Sequence, residues 1–86
     1  MDLKARSQMR SYVTQRLRMH SDLAPLRDED LLFSSGRLDS LDAVEIIARL
    51  EADYGINFYE INFDLTLLDS IAAMADLVDQ YAVNAR

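Results

Sequence analysis

Apolar residues fall into three stretches of helical spacing along this chain, separated by two segments that do not share the period. Met9, Val13 and Leu17 recur every four residues with Tyr12 alongside, the pattern of a first amphipathic helix with one buried stripe. Leu41, Val44, Ile47 and Leu50, with Ile46 beside them, stripe a second helix. Ile71, Met74, Val78 and Tyr81, flanked by Leu77, stripe a last one. The first gap, residues 21–37, holds Pro25 but also Leu23, Leu26, Leu31, Leu32 and Phe33, and is too apolar for a free linker. A connection of that length in a compact domain is packed down or functional. The second gap, residues 56–64, is rich in aromatic and β-branched side chains, which favours a strand locally. A lone strand would have no partner in this chain.

The second helix carries a strong start signal. Asp39 is a good N-cap, because its carboxylate can accept from the exposed N–H groups of the first turn. Asp42 stands three residues on, where a capping box has its Glu or Gln, and forms a shorter version of that motif. With Asp39 as cap, Ser40 is the first helical residue and its hydroxyl lies beside free backbone N–H groups. An anion built there would face the positive end of the helix dipole. Gly36 lets the approaching chain take a backbone conformation that other residues resist. A second Asp-Ser pair, Asp69-Ser70, also opens a helical pattern, but no glycine precedes it and its next acid comes only at Asp76. Ser70 is read as a plain helix start.

Length and charge narrow the classes. Eighty-six residues make one domain, 1–86, with room for one modest core and none for a catalytic cleft between domains. The chain has no cysteine, so neither disulfides nor thiolate metal sites can contribute. No run is long and apolar enough to span a bilayer, and the start lacks a signal-peptide core; a cytoplasmic protein without stable membrane insertion is expected. Residues 1–20 hold Lys4, Arg6, Arg10, Arg16 and Arg18 against Asp2 alone, a net +4, which leaves −10 for the remainder of a chain whose total is −6. Nucleic-acid binding through the main body is disfavoured, since phosphate backbones need Lys and Arg. The basic first helix reads as a solvated face that also pairs with the acidic remainder. His20 is the one histidine, at the end of the first helix, and no His/Asp/Glu ligand spacing surrounds it. No catalytic residue and no metal site is assigned. Tyr12, Tyr54, Tyr59 and Tyr81 are expected at the core margin, and Met9, Met19 and Met74 as adaptable core filling.

Gly36-Arg37-Leu38-Asp39-Ser40-Leu41-Asp42, with the acidic helix that follows through Glu51, resembles the acyl and peptidyl carrier protein family. The resemblance implies a non-catalytic, all-α, four-helix up-down bundle, with three longer helices, a long loop between the first two, and a short third helix at residues 59–63. It implies that Ser40 takes a covalent 4′-phosphopantetheine arm from coenzyme A, so that the protein shuttles thioester-bound acyl or aminoacyl groups. The partners implied are a phosphopantetheinyl transferase, a loading ligase and a downstream transferase or synthase, met by a monomer through Asp39, Leu41, Asp42, Glu45, Glu51 and Asp53. Asp42 and Glu45 would share one exposed surface opposite Val44 and Ile47. Fatty-acid carriers usually spell Gly-Ala-Asp-Ser-Leu; here one more residue separates glycine from aspartate, Arg49 interrupts the helix acids, and acids after the helix are few. A specialised stand-alone carrier fits better than a fatty-acid-synthesis carrier. Leu31, Leu32, Phe33, Phe58, Tyr59 and Phe63 are expected to fill the interior, leaving small cargo on an exposed arm. The alternative of another class is an unmodified helical interaction module, indifferent to Ser40.

Overall fold

The computed structural model describes residues 3–61 and 64–82, and among these the chain is helical with no strand. It forms α1 (Leu3–Met19), α2 (Ser40–Tyr54), a 3-10 turn (Leu65–Leu68) and α3 (Ile71–Tyr81). Met9, Val13 and Leu17 of α1 are buried with Tyr12, as their spacing implies. They meet Ile46 and Leu50 of α2 and Ile71, Met74, Leu77 and Val78 of α3 in one core. α1 packs against both other helices, and the 3-10 turn packs on α3.

Each helix ends for a local reason. α1 closes when Asp22 N–H returns to Leu17 C=O at 2.9 Å and Ser21 N–H to Arg18 C=O at 2.9 Å. This is the Schellman arrangement, in which the residue after the helix takes the left-handed conformation. Ser21 does so at φ 60°, in the place where glycine is usual. α2 ends on Gly55 at φ 68°, with its N–H returned to Glu51 C=O.

The long connection is packed down, although not by every apolar residue it contains. Leu32 and Leu38 are buried, Leu26 and Phe33 lean on the core, and Leu23 and Leu31 are exposed. It runs back along α1 as far as Asp28, whose carboxylate takes Arg6 at 2.7 Å and Arg10 at 2.5 Å. It then returns to a turn anchored by Asp69, which accepts from the N–H groups of Leu32, Phe33 and Ser34 and from the Ser34 hydroxyl. Arg37 closes the path by binding Asp22 at 2.9 Å. The basic face of α1 therefore does pair with the acidic remainder of the fold.

The segment after α2 departs from expectation. Residues 59–61 form a turn and a bend rather than a helix, and residues 62 and 63 of the expected short helix lie outside the described residues. Asn57 draws the chain into the turn by accepting from Tyr59 N–H at 3.0 Å. The helical turn that does form comes later, at Leu65–Leu68, where Asp64 accepts from Thr66 N–H at 2.8 Å. Three α-helices and one 3-10 turn thus replace the four helices expected, among the described residues. Tyr59 is 98% exposed, so it fills no interior; Phe58 packs partly against the core, and Phe63 lies outside the described residues. Met19 is likewise exposed, and Tyr81 sits at the surface.

Candidate functional site

The start of α2 is organised by two carboxylates with different duties. Asp39 is the N-cap, extended at φ −119°, and accepts from Leu41 N–H at 3.0 Å and Asp42 N–H at 3.2 Å. Asp42 reaches back to accept from Asp39 N–H at 2.9 Å, which completes the capping box. Ser40 is the first residue of the helix and is exposed. Among the described residues its hydroxyl makes no hydrogen bond. Gly36 stands at φ 85° in the turn before it, and Leu38 N–H bonds Leu32 C=O at 2.9 Å to hold the approach.

Ser70 is placed differently. It is itself the N-cap of α3, and its Oγ accepts from Ala73 N–H at 3.0 Å. Asp69 beside it is turned away to hold the connection before α2. One Asp-Ser pair thus presents a free serine hydroxyl, and the other consumes it.

Asp42 was expected on an exposed docking face. It is fully buried. Arg16 Nε donates to its Oδ1 at 2.7 Å, and His20 Nε2 lies 2.7 Å from its Oδ2. Arg16 in the last turn of α1 and His20 just after it are four residues apart and so share a face. Burial pushes the Asp42 carboxyl up, but the Asp39 N–H, the Arg16 guanidinium and the His20 ring outweigh it and hold the carboxyl at about 2. His20, Asp39 and Asp42 bring their ring-nitrogen and carboxylate atoms within 4.8 Å of one another. Sequence spacing gave no sign of this cluster, because 22 residues separate His20 from Asp42. The available signal was the four-residue spacing of Arg16 and His20 at the end of one helix that must adjoin the start of the next.

The inward face of α2 is therefore rotated from the stripe read in the sequence. Asp42, Ala43, Ile46 and Leu50 point in, while Leu41 is 63% and Val44 58% exposed. The helix has more apolar residues than one face can bury, and the Asp42 ion pair takes one inward position. Of the remaining expected docking residues, Asp39, Glu45 and Glu51 are exposed. Asp53 is exposed too but accepts from the buried Tyr12 hydroxyl. Burial first, and then that bond to a carboxylate, push the Tyr12 phenol up to about 12. Arg49 lies over the Tyr12 ring at 5.1 Å, a cation–π contact. Between α1 and α2 a groove of about 190 Å³ opens among Tyr12, Arg16, Met19, Glu45, Ile46 and Arg49.

The fold and the site define a small helical domain that presents one unengaged serine at a helix start, with an apolar and acidic strip beside it. The chain belongs to the phosphopantetheine attachment site family, which it matches over residues 8–78. It is thus a non-catalytic carrier with a covalently attached 4′-phosphopantetheine, of a kind that meets phosphopantetheinyl transferases and biosynthetic enzymes. No curated protein and no solved structure matches the chain at a significant level. Among the described residues no helix is long and apolar enough to cross a membrane.

Proposed function

We propose that Ser40 is the attachment point and that the domain shuttles a thioester-bound acyl or aminoacyl group between partner enzymes of a specialised biosynthetic pathway. The observation that carries this is the contrast between the two Asp-Ser pairs: Ser40 has an exposed hydroxyl with no partner among the described residues, whereas the Ser70 hydroxyl caps α3. The residues fit the group, because a phosphodiester on Ser40 would face the N–H end of α2, where an anion is favoured. The arm, when attached, supplies the thiol that carries the thioester; this chain has no cysteine of its own.

The strip formed by Leu41, Val44, Glu45 and Glu51, with Asp39 at its end, is the proposed docking face for the transferase and the loading enzymes. Its exposed apolar residues offer buried area to a partner, and its acids steer a basic one, setting encounter rate and orientation more than affinity. Asp42 has no place in this surface. The 3-10 turn at Leu65–Leu68 stands in for the short third helix of a four-helix carrier. The proposed carrier is a cytoplasmic monomer whose small cargo stays on the exposed arm.

Intact mass after incubation with coenzyme A and a broad-specificity phosphopantetheinyl transferase tests the attachment. One phosphopantetheine should be added to the wild type and to Ser70→Ala, and none to Ser40→Ala. Modification at Ser70 would overturn the assignment of Ser40, and none at all beside an active control would return the unmodified interaction module to first place.

A further inference from the structure

His20 has no role in the attachment chemistry just described, yet it closes a chain of contacts that ends at Asp39, the residue before Ser40. It is the last residue before the Schellman turn of α1, held by its N–H to Leu17 C=O at 3.0 Å. Its ring reaches across to Asp42, the residue whose other contacts fix the first turn of α2. The fully buried Asp42 carboxylate is shared among Arg16, His20 and Asp39 N–H, and the Asp39 carboxylate in turn holds Leu41 and Asp42 N–H. Ser40 lies between those two aspartates. Arg16 is charged at every working pH, so the variable member of the set is the imidazole.

We infer that His20 is a positioning residue for Ser40, bracing the first turn of α2 through Asp42 and doing so more firmly when it is protonated. The inference rests on Ser40 being the attachment point. The charged groups that face the imidazole are Arg16 on α1, Asp42 and Asp39 at the start of α2, and Asp22 in the connection, which Arg37 already binds. A neutral imidazole with its proton on Nε2 donates one hydrogen bond to the Asp42 carboxylate. A protonated one adds a positive charge opposite an acceptor that is already ionised and turns the same contact into an ion pair. The ring keeps contact with water, at 38% side-chain exposure, so a proton can come and go without unfolding. Protonation of the ring therefore tightens the turn that presents Ser40.

The wild-type protein itself provides the first test, because its single histidine gives one resolved imidazole titration by NMR. The backbone amide signals of Asp39, Leu41 and Asp42 should titrate with the same midpoint as the His20 ring. Amides that stay flat while the ring titrates would overturn the inference. The second test is kinetic and uses coenzyme A with a broad-specificity phosphopantetheinyl transferase. His20→Gln keeps a neutral donor, so the rate ratio of wild type to variant removes the enzyme's own pH dependence. The ratio should be near one well above the ring midpoint that NMR gives and rise to about three- to five-fold well below it, the effect of a contact strengthened by charge. His20→Ala should be slower at both. A ratio that does not change with pH overturns the positioning role while the attachment stands. Absence of any modification of the wild type instead overturns the attachment reading, and the amide titration still decides whether the brace exists.

Discussion

Replacing Asp42 by alanine should cost far more stability than any other acid of α2, and the size of the loss follows from its contacts. The substitution removes the partner of Arg16, whose side chain is 18% exposed, and of His20, and it leaves Asp39 N–H without an acceptor. Breaking a buried ion pair from one side typically costs about 3–5 kcal/mol. Arg16 and His20 keep some access to water, so the low end applies, about 3 kcal/mol. Those same contacts hold the carboxyl at about 2, against an ordinary value of about 3.9, which corresponds to about 2–3 kcal/mol of differential stabilisation of the ionised form. For a domain whose whole stability is on the order of 4–13 kcal/mol, that is a large share. The melting temperature should fall by roughly 12–24 °C, at 4–8 °C per kcal/mol for a chain of this size. Helical circular dichroism against urea and temperature reads both. Asp42→Asn, which keeps one acceptor, should fall between, and Glu45→Ala should stay within about 0.5 kcal/mol of wild type. A loss under about 1 kcal/mol for Asp42→Ala, or an equal loss for Glu45→Ala, refutes the assignment of Asp42 as a structural brace.

The same carboxylate sets an acid limit: held at about 2, it contributes fully above about pH 4 and its contribution fades as pH falls through about 2. Urea midpoints at pH 5, 3 and 2 should therefore drop steeply in the wild type and less in Asp42→Asn, and equal slopes would argue against it. Ser21→Gly should raise stability by about 1 kcal/mol, because a non-glycine residue in the left-handed region carries roughly that cost; no gain in the melting temperature would mean the Schellman turn is not strained. Leu41→Asp and Glu45→Lys should each slow phosphopantetheine transfer at low salt with little loss of helix. Unchanged rates in both would place recognition outside the exposed strip.

Three helices and their approximate limits were legible because each carries an apolar stripe and two carry clear caps. The capping box at Asp39 and Asp42 could be read from three-residue spacing alone, since both partners lie in one turn. The phase of α2 could not. Leu41, Val44, Ile46, Ile47 and Leu50 satisfy more than one helical face, and the tie is broken by Arg16 and His20, residues that only the tertiary fold brings near. The segment after α2 misled for a related reason. Its aromatic residues look like core, yet Asn57 turns the chain and leaves Tyr59 in water. The helical turn waits for Asp64, which supplies the cap that the earlier residues lack.

The two Asp-Ser pairs then show how one dipeptide can serve opposite ends. At a helix start, either residue can cap, and the choice decides which side chain is left over. At residues 39 and 40 the aspartate caps, because Asp42 returns a bond to its N–H and locks that arrangement from three residues on. Ser40 is thereby pushed to the first helical position, where its hydroxyl serves none of the first-turn N–H groups, those of Leu41 and Asp42 being held by Asp39. At residues 69 and 70 the next acid in line is Asp76, too far along the helix to close a box. The serine caps instead, and Asp69 is released to gather the N–H groups of Leu32, Phe33 and Ser34. Those residues lead into the turn at Gly36 and so into Asp39. The second pair thus holds in place the loop from which the first pair presents its serine, and Asp42 determines which pair does which.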